Sequence, residues 1–122
     1  MQCLARGIFE IEQEGDTLIV VPTVNLCELD YQRIQEDGKQ VLDLLNANAI
    51  KYVILDFAKT DYYGSTALGF FLKFWKAVRT SSGRMAFCNV SDLEKQILEI
   101  THLDRLWPIC SSRTEALEAV RA

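Results

Sequence analysis

Two aspartates and a serine are the side chains of this sequence best placed to do chemistry. Asp56 closes the apolar run Val53-Ile54-Leu55, Asp61 follows five residues later, and Ser65 opens a long apolar segment. A β-branched apolar run, a polar connection and a long apolar segment together predict a strand, a loop and a helix. The start of such a helix has free backbone N–H groups and the positive end of the helix dipole, which favour an anion. The sequence therefore indicates the region around Ser65 as the functional site.

Each of these side chains has a structural and a functional interpretation. Ser65 could be the N-cap of the helix, a role worth ~1 kcal/mol, or a modified or ligand-binding serine, and the two roles can coexist. Asp56 and Asp61 could bind Mg²⁺ if a phosphorylated substrate completes its coordination. Alternatively, Asp56 hydrogen-bonds the backbone of the loop and Asp61 is solvated. Residue types alone leave these alternatives open.

The sequence contains no familiar catalytic motif. Residues 64–69, Gly-Ser-Thr-Ala-Leu-Gly, match neither G-x-G-x-x-G nor G-x-S-x-G, and they lack the lysine of a P-loop. The single histidine, His102, falls at a predicted helix end, which disfavours a Ser-His-Asp triad. A zinc site is disfavoured because none of the cysteines forms a C-x-x-C pair. The cysteines are Cys3, Cys27, Cys88 and Cys110. We predict no catalytic residue, no metal and no cofactor.

Length, composition and charge are typical of one globular domain. The chain has 122 residues, of which 49% are hydrophobic and 25% charged. The formal net charge of −4 and the lack of a basic cluster argue against nucleic-acid binding. No run of about 18 uncharged apolar residues is present, so we expect no membrane span. The start of the chain does not resemble a secretion signal, so we expect a cytoplasmic protein with free thiols. The oligomeric state is left open.

The order of predicted elements is typical of an α/β domain. Residues 7–12 alternate between apolar and polar types, and Glu14-Gly15-Asp16 is a hairpin turn before the apolar run 17–21, so we predict an antiparallel first edge strand. The elements predicted after it are a helix from Asp30 to about Asn46, the strand before Asp56, the helix from Ser65, a strand over 84–90, a helix from Ser91, an edge strand over 106–110 that contains Pro108, and a helix from Ser112. Strands that alternate with helices predict a mostly parallel sheet with about four helices, in one domain over residues 1–122.

Helical periodicity also predicts which residues are buried. In the helix from Ser65, the predicted core face is Leu68, Phe71, Trp75 and Val78, and the polar stripe is Gly69, Lys73, Lys76 and Thr80. Phe70 and Phe74 lie on the flank, where they either pack under a neighbouring helix or form a partner patch. Ser91 and Glu94 are predicted to form a capping box, with Leu93, Ile97 and Ile100 as the buried face of that helix. Gly38 predicts close packing of its helix on the sheet.

The central segment resembles the signature of the STAS domain, the family of sulphate-transporter C-terminal domains and bacterial anti-sigma factor antagonists. The family pattern is an apolar strand that ends in Asp, a short loop, and then Asp-Ser-Ser-Gly-Leu-Gly. Here the strand ends at Asp56-Phe57, a spacer leads to Tyr63, and Ser65-Thr66-Ala67-Leu68-Gly69 follows. The strand over 84–90 with its Asn89, the segment 93–106 and the closing residues 112–117 also fit. The resemblance covers nearly the whole chain and implies a single STAS-like domain.

The resemblance implies a function in regulation rather than an enzyme activity. In the antagonist branch of the family, a partner kinase, the anti-sigma factor, phosphorylates the first serine of the motif, which corresponds to Ser65, with Thr66 as second choice. Gly64 stands where the family has Asp, and the family's Gly-x-Leu-Asp segment matches either Asn25-Leu26 or Leu29-Asp30. The implied partner-binding residues are Asp61, Tyr62, Tyr63, Gly64, Ser65, Thr66, Gly69 and Phe70. The alternatives are a non-phosphorylated STAS subunit of a transport or sensory complex, and a small-ligand-binding domain or weak enzyme that uses Asp56, Asp61 and Ser65.

Overall fold

The computed structural model describes residues 2–27, 30–47 and 50–122, with residues 2–6 described as backbone. The strands in this part of the chain are β1 (Gln2–Arg6), β2 (Phe9–Glu14), β3 (Thr17–Pro22), β4 (Tyr52–Asp56), β5 (Arg84–Cys88) and β6 (Ile109–Cys110). The helices are α1 (Tyr31–Ala47), α2 (Ser65–Thr80), α3 (Asp92–Ile100) and α4 (Arg113–Arg121), with a 3-10 turn over Leu103–Arg105. None of these helices is long and apolar enough to cross a bilayer.

The strands form one sheet in the order β1-β2-β3-β4-β5-β6, which is also their order in the sequence. The pairs β1–β2 and β2–β3 are antiparallel, and the pairs from β3 to β6 are parallel. This confirms the α/β class and the antiparallel start of a mostly parallel sheet. Strand β1 was not predicted. It pairs with β2, which is the predicted first strand, and β1 instead of β2 forms the edge of the sheet. Gly7, with φ of +56°, turns the chain between β1 and β2, so β2 begins at Phe9 rather than at Gly7.

Two layers of helices cover the sheet. Successive side chains of a strand point to opposite faces, so Val53 and Leu55 pack on one side of β4 and Ile54 on the other. The larger core lies under α1, α2 and α3, and the smaller core lies under α4. The strand runs 17–21 and 53–55 are apolar throughout because both faces are buried. This arrangement places the starts of α2 and α3 at the carboxyl edge of the parallel strands.

Helix α2 packs against α1 through a glycine. A Cβ atom at Gly38 would lie 2.7 Å from the Phe70 ring, so the close packing predicted for Gly38 is against a helix and not against the sheet. Phe70 and Phe74 are 7% and 0% exposed, which confirms that they pack inside and form no exposed patch. The polar stripe is exposed as predicted. Of the predicted core face of α2, Phe71 and Val78 are buried, and Leu68 and Trp75 are only half-buried.

The predicted buried face of α3 is wrong for two of its three residues, and the third, Ile97, is half-buried against the core. Leu93 and Ile100 are 48% and 77% exposed, and the buried residues of the helix are Glu94 and Leu98. The predicted capping box is present, since the Ser91 hydroxyl accepts from Glu94 N–H and the Glu94 carboxylate accepts from Ser91 N–H. That same carboxylate is the inward side chain of the first turn, so the helix turns its apolar stripe partly towards solvent.

The remaining elements agree with the sequence in position and differ in detail. Strand β6 is a two-residue edge strand that directly follows Pro108, and α1 ends at Ala47. The residues Asn46-Ala47-Asn48 predict the stop of this helix, and the last of them, Asn48, lies outside the described residues. The sequence Ser112-Arg113-Thr114-Glu115 also matches a capping box, which is divided in the structure: Ser112 accepts from Glu115 N–H, whereas the Glu115 carboxylate accepts from Ser111. Cys88 is buried in the core, and burial raises its pKa to about 12, so its thiol stays protonated at neutral pH.

Candidate functional site

Ser65 is the first residue of α2, and its side chain is exposed. The N-cap is Gly64, in extended backbone geometry with φ of −101° and ψ of −173°. Ser65 is therefore one residue inside the helix and is not its N-cap. The first turn of α2 contains no acidic side chain. The positive end of the helix dipole at Ser65 thus has no carboxylate within its own turn to balance it.

The loop before Ser65 is held on one side by the segment that follows β3. Leu26 and Tyr63 form an isolated parallel bridge, in which Gly64 N–H donates to Leu26 O at 2.8 Å and Leu26 N–H donates to Tyr62 O at 3.3 Å. Asp61 N–H donates to the side-chain oxygen of Asn25 at 2.9 Å. Hydrogen bonds thus connect residues 25–26 to residues 61–64, and they constrain the backbone conformation of the loop before α2.

Of the two segments that matched the family's Gly-x-Leu-Asp pattern, Asn25-Leu26 is the one that lies at this loop. Leu29 is outside the described residues. Asp30 precedes α1, and its carboxylate lies 3.9 Å from the guanidinium of Arg33 in that helix. The contact with Tyr63 thus makes Asn25-Leu26 part of the candidate site.

Helix α3 holds the same loop from the other side. The Ser91 hydroxyl donates to Asp61 O at 2.7 Å, and the Thr60 hydroxyl donates to the Glu94 carboxylate at 2.8 Å. The Tyr63 hydroxyl donates to the backbone oxygen of Glu94, also at 2.8 Å. Glu94 is fully buried, and it is the centre of this network.

Burial shifts the ionisation of two groups in this network. It raises the pKa of Glu94 above its ordinary value, while hydrogen bonds from Ser91 and Thr60 act in the opposite direction. Burial also raises the pKa of Tyr63, and the charge of Glu94 adds to the effect. Tyr63 is therefore a protonated donor across the physiological range.

Asp56 is committed to structural contacts. It is 4% exposed, and one of its oxygens accepts from Ala58 N–H and from the Asn89 side chain, both at 3.0 Å. The other oxygen accepts from the Arg113 guanidinium at 3.0 Å, and Arg113 also donates to Glu12 at 2.7 Å. The hydrogen bond to the loop backbone agrees with the structural interpretation of Asp56. In the described part of the chain, no group of three His, Cys, Asp or Glu side chains is arranged to hold a metal ion.

The structure separates the predicted site residues into exposed and buried groups. Asp61, Ser65 and Gly69 are exposed, and Tyr62 and Thr66 are half-buried. Ser65 and Gly69 are four residues apart and share one face of α2. The buried members are Tyr63, Gly64 and Phe70. A partner protein can therefore contact the exposed and half-buried residues, whereas the three buried residues lie beneath them in the core.

The sequence did not reveal the residues that hold this loop. Asn25 was considered only for its register, Thr60 was not singled out, and Glu94 was assigned only to a capping box. The Ser91–Glu94 pattern was the available signal, because α3 follows β5 and must begin at the same sheet edge as α2. A glutamate is usually exposed, so its burial against Thr60 was not predicted.

Comparison with known proteins gives the family of this fold. A family model for the STAS domain matches residues 9–116. The chain belongs to the STAS domain family. An anti-sigma F factor antagonist from Paenibacillus polymyxa is 23% identical over 108 residues, which cover 88% of this chain and 92% of that protein.

Two solved structures illustrate the similarity of this STAS domain to other members. A candidate anti-sigma factor antagonist from Thermotoga maritima has a TM-score of 0.81 at 25% identity, over 93% of this chain and 95% of that chain. The phosphorylated form of the Bacillus cell fate determinant SpoIIAA has a TM-score of 0.70 at 18% identity, over 93% of this chain and 99% of that chain. At 18% identity the likeness concerns the fold alone.

Proposed function

We propose that this STAS domain is a regulatory protein that binds an anti-sigma factor with serine kinase activity, and that Ser65 is the residue phosphorylated. The observation that carries the proposal is the exposed Ser65 at the first position of α2, after a loop fixed from two sides. A kinase needs a hydroxyl that it can reach and that is held in a constant position. The phosphate comes from ATP bound by the partner, so the domain itself is not an enzyme.

The start of α2 is suited to carry a phosphate. A phosphoserine adds about −1.5 to −2 charges at pH 7 and three acceptor oxygens. At Ser65 these oxygens meet backbone N–H groups of the first turn and the positive end of the dipole. The first turn contributes no carboxylate that would repel them. The fold is therefore expected to tolerate the modification.

The same phosphate is expected to alter docking of a partner. The surface around Ser65 comprises Asp61, Tyr62, Thr66 and Gly69. A Cβ atom at Gly69 would meet nothing within 4 Å, so this glycine leaves room for a partner to approach the helix closely. A partner that contacts the neutral hydroxyl would have to desolvate a dianion after phosphorylation, which is costly without paired cations. Phosphorylation would thus act as a switch between bound and released states.

The relatives support this proposal by name. The Paenibacillus polymyxa relative is an anti-sigma F factor antagonist, and SpoIIAA has been solved in a phosphorylated form. The small-ligand alternative loses support because Asp56 already binds Arg113, Asn89 and the loop backbone.

Gly64 favours a second candidate function. The family motif has Asp at this position, and Gly64 supplies no side chain to the N-cap or to a kinase. A STAS domain that is never phosphorylated would act as a fixed subunit of a transport or sensory complex, bound through the same surface.

Phosphate uptake tests the two candidates directly. The purified domain is incubated with ATP and with ATP-binding anti-sigma factor kinases, starting with the one encoded nearest to its gene, and its intact mass is measured. We expect a gain of one phosphate by the wild type and by Thr66→Ala, and none by Ser65→Ala. Loss in Thr66→Ala alone would move the site to Thr66. Stable binding of a partner by a domain that takes up no phosphate would support the fixed-subunit function.

A further inference from the structure

A cavity lies far from Ser65, at the amino end of β5. It has a volume of about 320 Å³ and opens between the last turns of α2, the start of β5, the segment before β6, and α4. Its apolar wall includes Trp75, Met85, Leu106, Pro108 and Val120. Arg79, which also lines it, is fourteen residues after Ser65 in α2, or about 21 Å along the helix. The proposed switch at the carboxyl edge and this cavity are therefore at opposite ends of the domain.

The cavity exists because β6 is shorter than β5. Strand β6 pairs only with Phe87 and Cys88, so no strand covers residues 84–86 on that side. Phe87 N–H donates to Pro108 O at 3.0 Å, and the alternation of a strand directs Met85 N–H to the same edge. Pro108 has no N–H to donate to β5, so the ladder does not extend towards the N-terminus and β6 begins only at Ile109. The opening is therefore encoded by the sequence of the edge strand.

Two arginines give the cavity a positive charge. The Arg79 guanidinium lies 4.7 Å above the ring of Trp75, and Arg84 donates to the backbone oxygen of Ala122 at 2.7 Å. The ion pairs found among the described residues involve neither arginine. Guanidinium groups bind carboxylates through paired hydrogen bonds, and their planar geometry suits that partner better than an ammonium does.

We propose that this cavity binds a small organic acid with an apolar body. The apolar body lies against Trp75, Met85 and Val120, and the carboxylate lies between Arg79 and Arg84. The volume is at the lower limit for small-molecule sites, which are about 300–1,000 Å³, so the ligand is small. Met85 N–H adds a backbone donor on the open edge of β5. This inference does not depend on phosphorylation of Ser65, because it concerns the other end of the domain.

A comparison of an acid with its amide tests the proposal on the unmodified protein. The probes are 1-naphthaleneacetate and 1-naphthaleneacetamide, which share the apolar ring and differ in charge. We expect the acid to bind and to shift the backbone amide NMR signals of residues 83–85, and the amide to bind at least about tenfold more weakly. Equal binding of both probes, or shifts confined to residues outside the cavity wall, would overturn the proposal.

Substitutions locate the charge and the wall. Arg79→Gln and Arg84→Gln should each weaken binding of the acid by about tenfold or more. Lys76→Gln is the matched control, because Lys76 is an exposed cation of the same helix and does not line the cavity. Ala119→Leu should fill the cavity and abolish binding while the melting temperature is retained. If Lys76→Gln weakens binding as much as Arg79→Gln, the attraction is general and no site exists here.

Discussion

The carboxylate of Glu94 accepts a hydrogen bond from the hydroxyl of Thr60 at 2.8 Å, inside the protein and 34 residues away in the chain. The other oxygen of the same carboxyl group accepts from Ser91 N–H, so α3 and the loop before Ser65 share one buried acidic side chain. The position of Ser65 thus depends on a residue in a different helix.

Removal of this carboxylate should loosen the loop. Glu94→Ala leaves the Thr60 hydroxyl and Ser91 N–H without their acceptor, at a cost of about 1–3 kcal/mol in the free energy of unfolding. We also expect faster hydrogen exchange of the amides of residues 60–64. Glu99→Ala is the control, since Glu99 is exposed on the same helix. Urea denaturation and hydrogen exchange measure both effects, and equal results for the two variants would remove Glu94 from this role.

The raised pKa of Glu94 predicts a particular pH dependence. Burial raises the pKa of Glu94 in the folded state, so between the ordinary value of about 4.5 and the folded value the native protein holds more protons than the unfolded chain. The contribution of this group to stability is then complete below pH ~4.5 and is lost as pH rises through its folded pKa. Unfolding free energies of wild type and Glu94→Gln should be compared between pH 4.5 and 7. The difference, wild type minus variant, should increase as pH falls, and a constant difference would contradict the prediction.

Two glycines in neighbouring helices should respond oppositely to alanine. Gly38→Ala places a Cβ atom 2.7 Å from the Phe70 ring, and the resulting overpacking should cost about 1–3 kcal/mol, which outweighs the better helix propensity of alanine. Gly69→Ala meets nothing within 4 Å, so it should stabilise the protein by ~1 kcal/mol. Thermal unfolding measures both. Stabilisation by Gly38→Ala would show that α1 and α2 can separate without cost.

The buried carboxylate of Asp56 should contribute more to the free energy of unfolding than Glu12, which is the second partner of Arg113. Asp56→Ala removes the acceptor of Ala58 N–H, of the Asn89 side chain and of Arg113, and should cost about 2 kcal/mol. Glu12→Ala removes only one contact of Arg113, which is partly exposed and retains Asp56, so it should cost less than ~1 kcal/mol. Chemical denaturation orders the two variants, and a larger loss in Glu12→Ala would reverse this assignment.

Local patterns of the sequence predicted the order of elements and the position of Ser65, because periodicity and turn residues act within a few positions. The contacts that depend on distant segments were not predictable in this way. Arg113 reaches Asp56 across 57 residues, and Thr60 reaches Glu94 across 34. Gly38 was predicted to pack against the sheet, because no residue near it in the sequence indicates that Phe70 is its neighbour. The apolar stripe of α3 was placed inside because its pattern resembles a core face, whereas a buried hydrogen-bond network determines the orientation of that helix.

The last prediction concerns the proposed switch at Ser65. Phosphorylation should change affinity for the anti-sigma factor far more than it changes stability. Ser65→Glu places one negative charge near the start of α2, where the dipole favours it by about 0.3–1 kcal/mol, so its melting temperature should equal or slightly exceed that of the wild type. Ser65→Ala should bind the partner as the unphosphorylated protein does, and Ser65→Glu should bind it more weakly. Calorimetry of binding and thermal unfolding separate the two effects.

Gly64→Asp completes this experiment. The backbone of Gly64 is extended, with φ of −101°, so its conformation does not require glycine, and an aspartate at the N-cap can accept from N–H groups of the first turn. Restoring the aspartate of the family motif should raise the rate of phosphate uptake at Ser65 while binding by the unphosphorylated form is retained. If Ser65→Ala and Ser65→Glu bind the partner equally, and neither wild type nor Gly64→Asp takes up phosphate, the domain is a fixed subunit and Ser65 is not a switch.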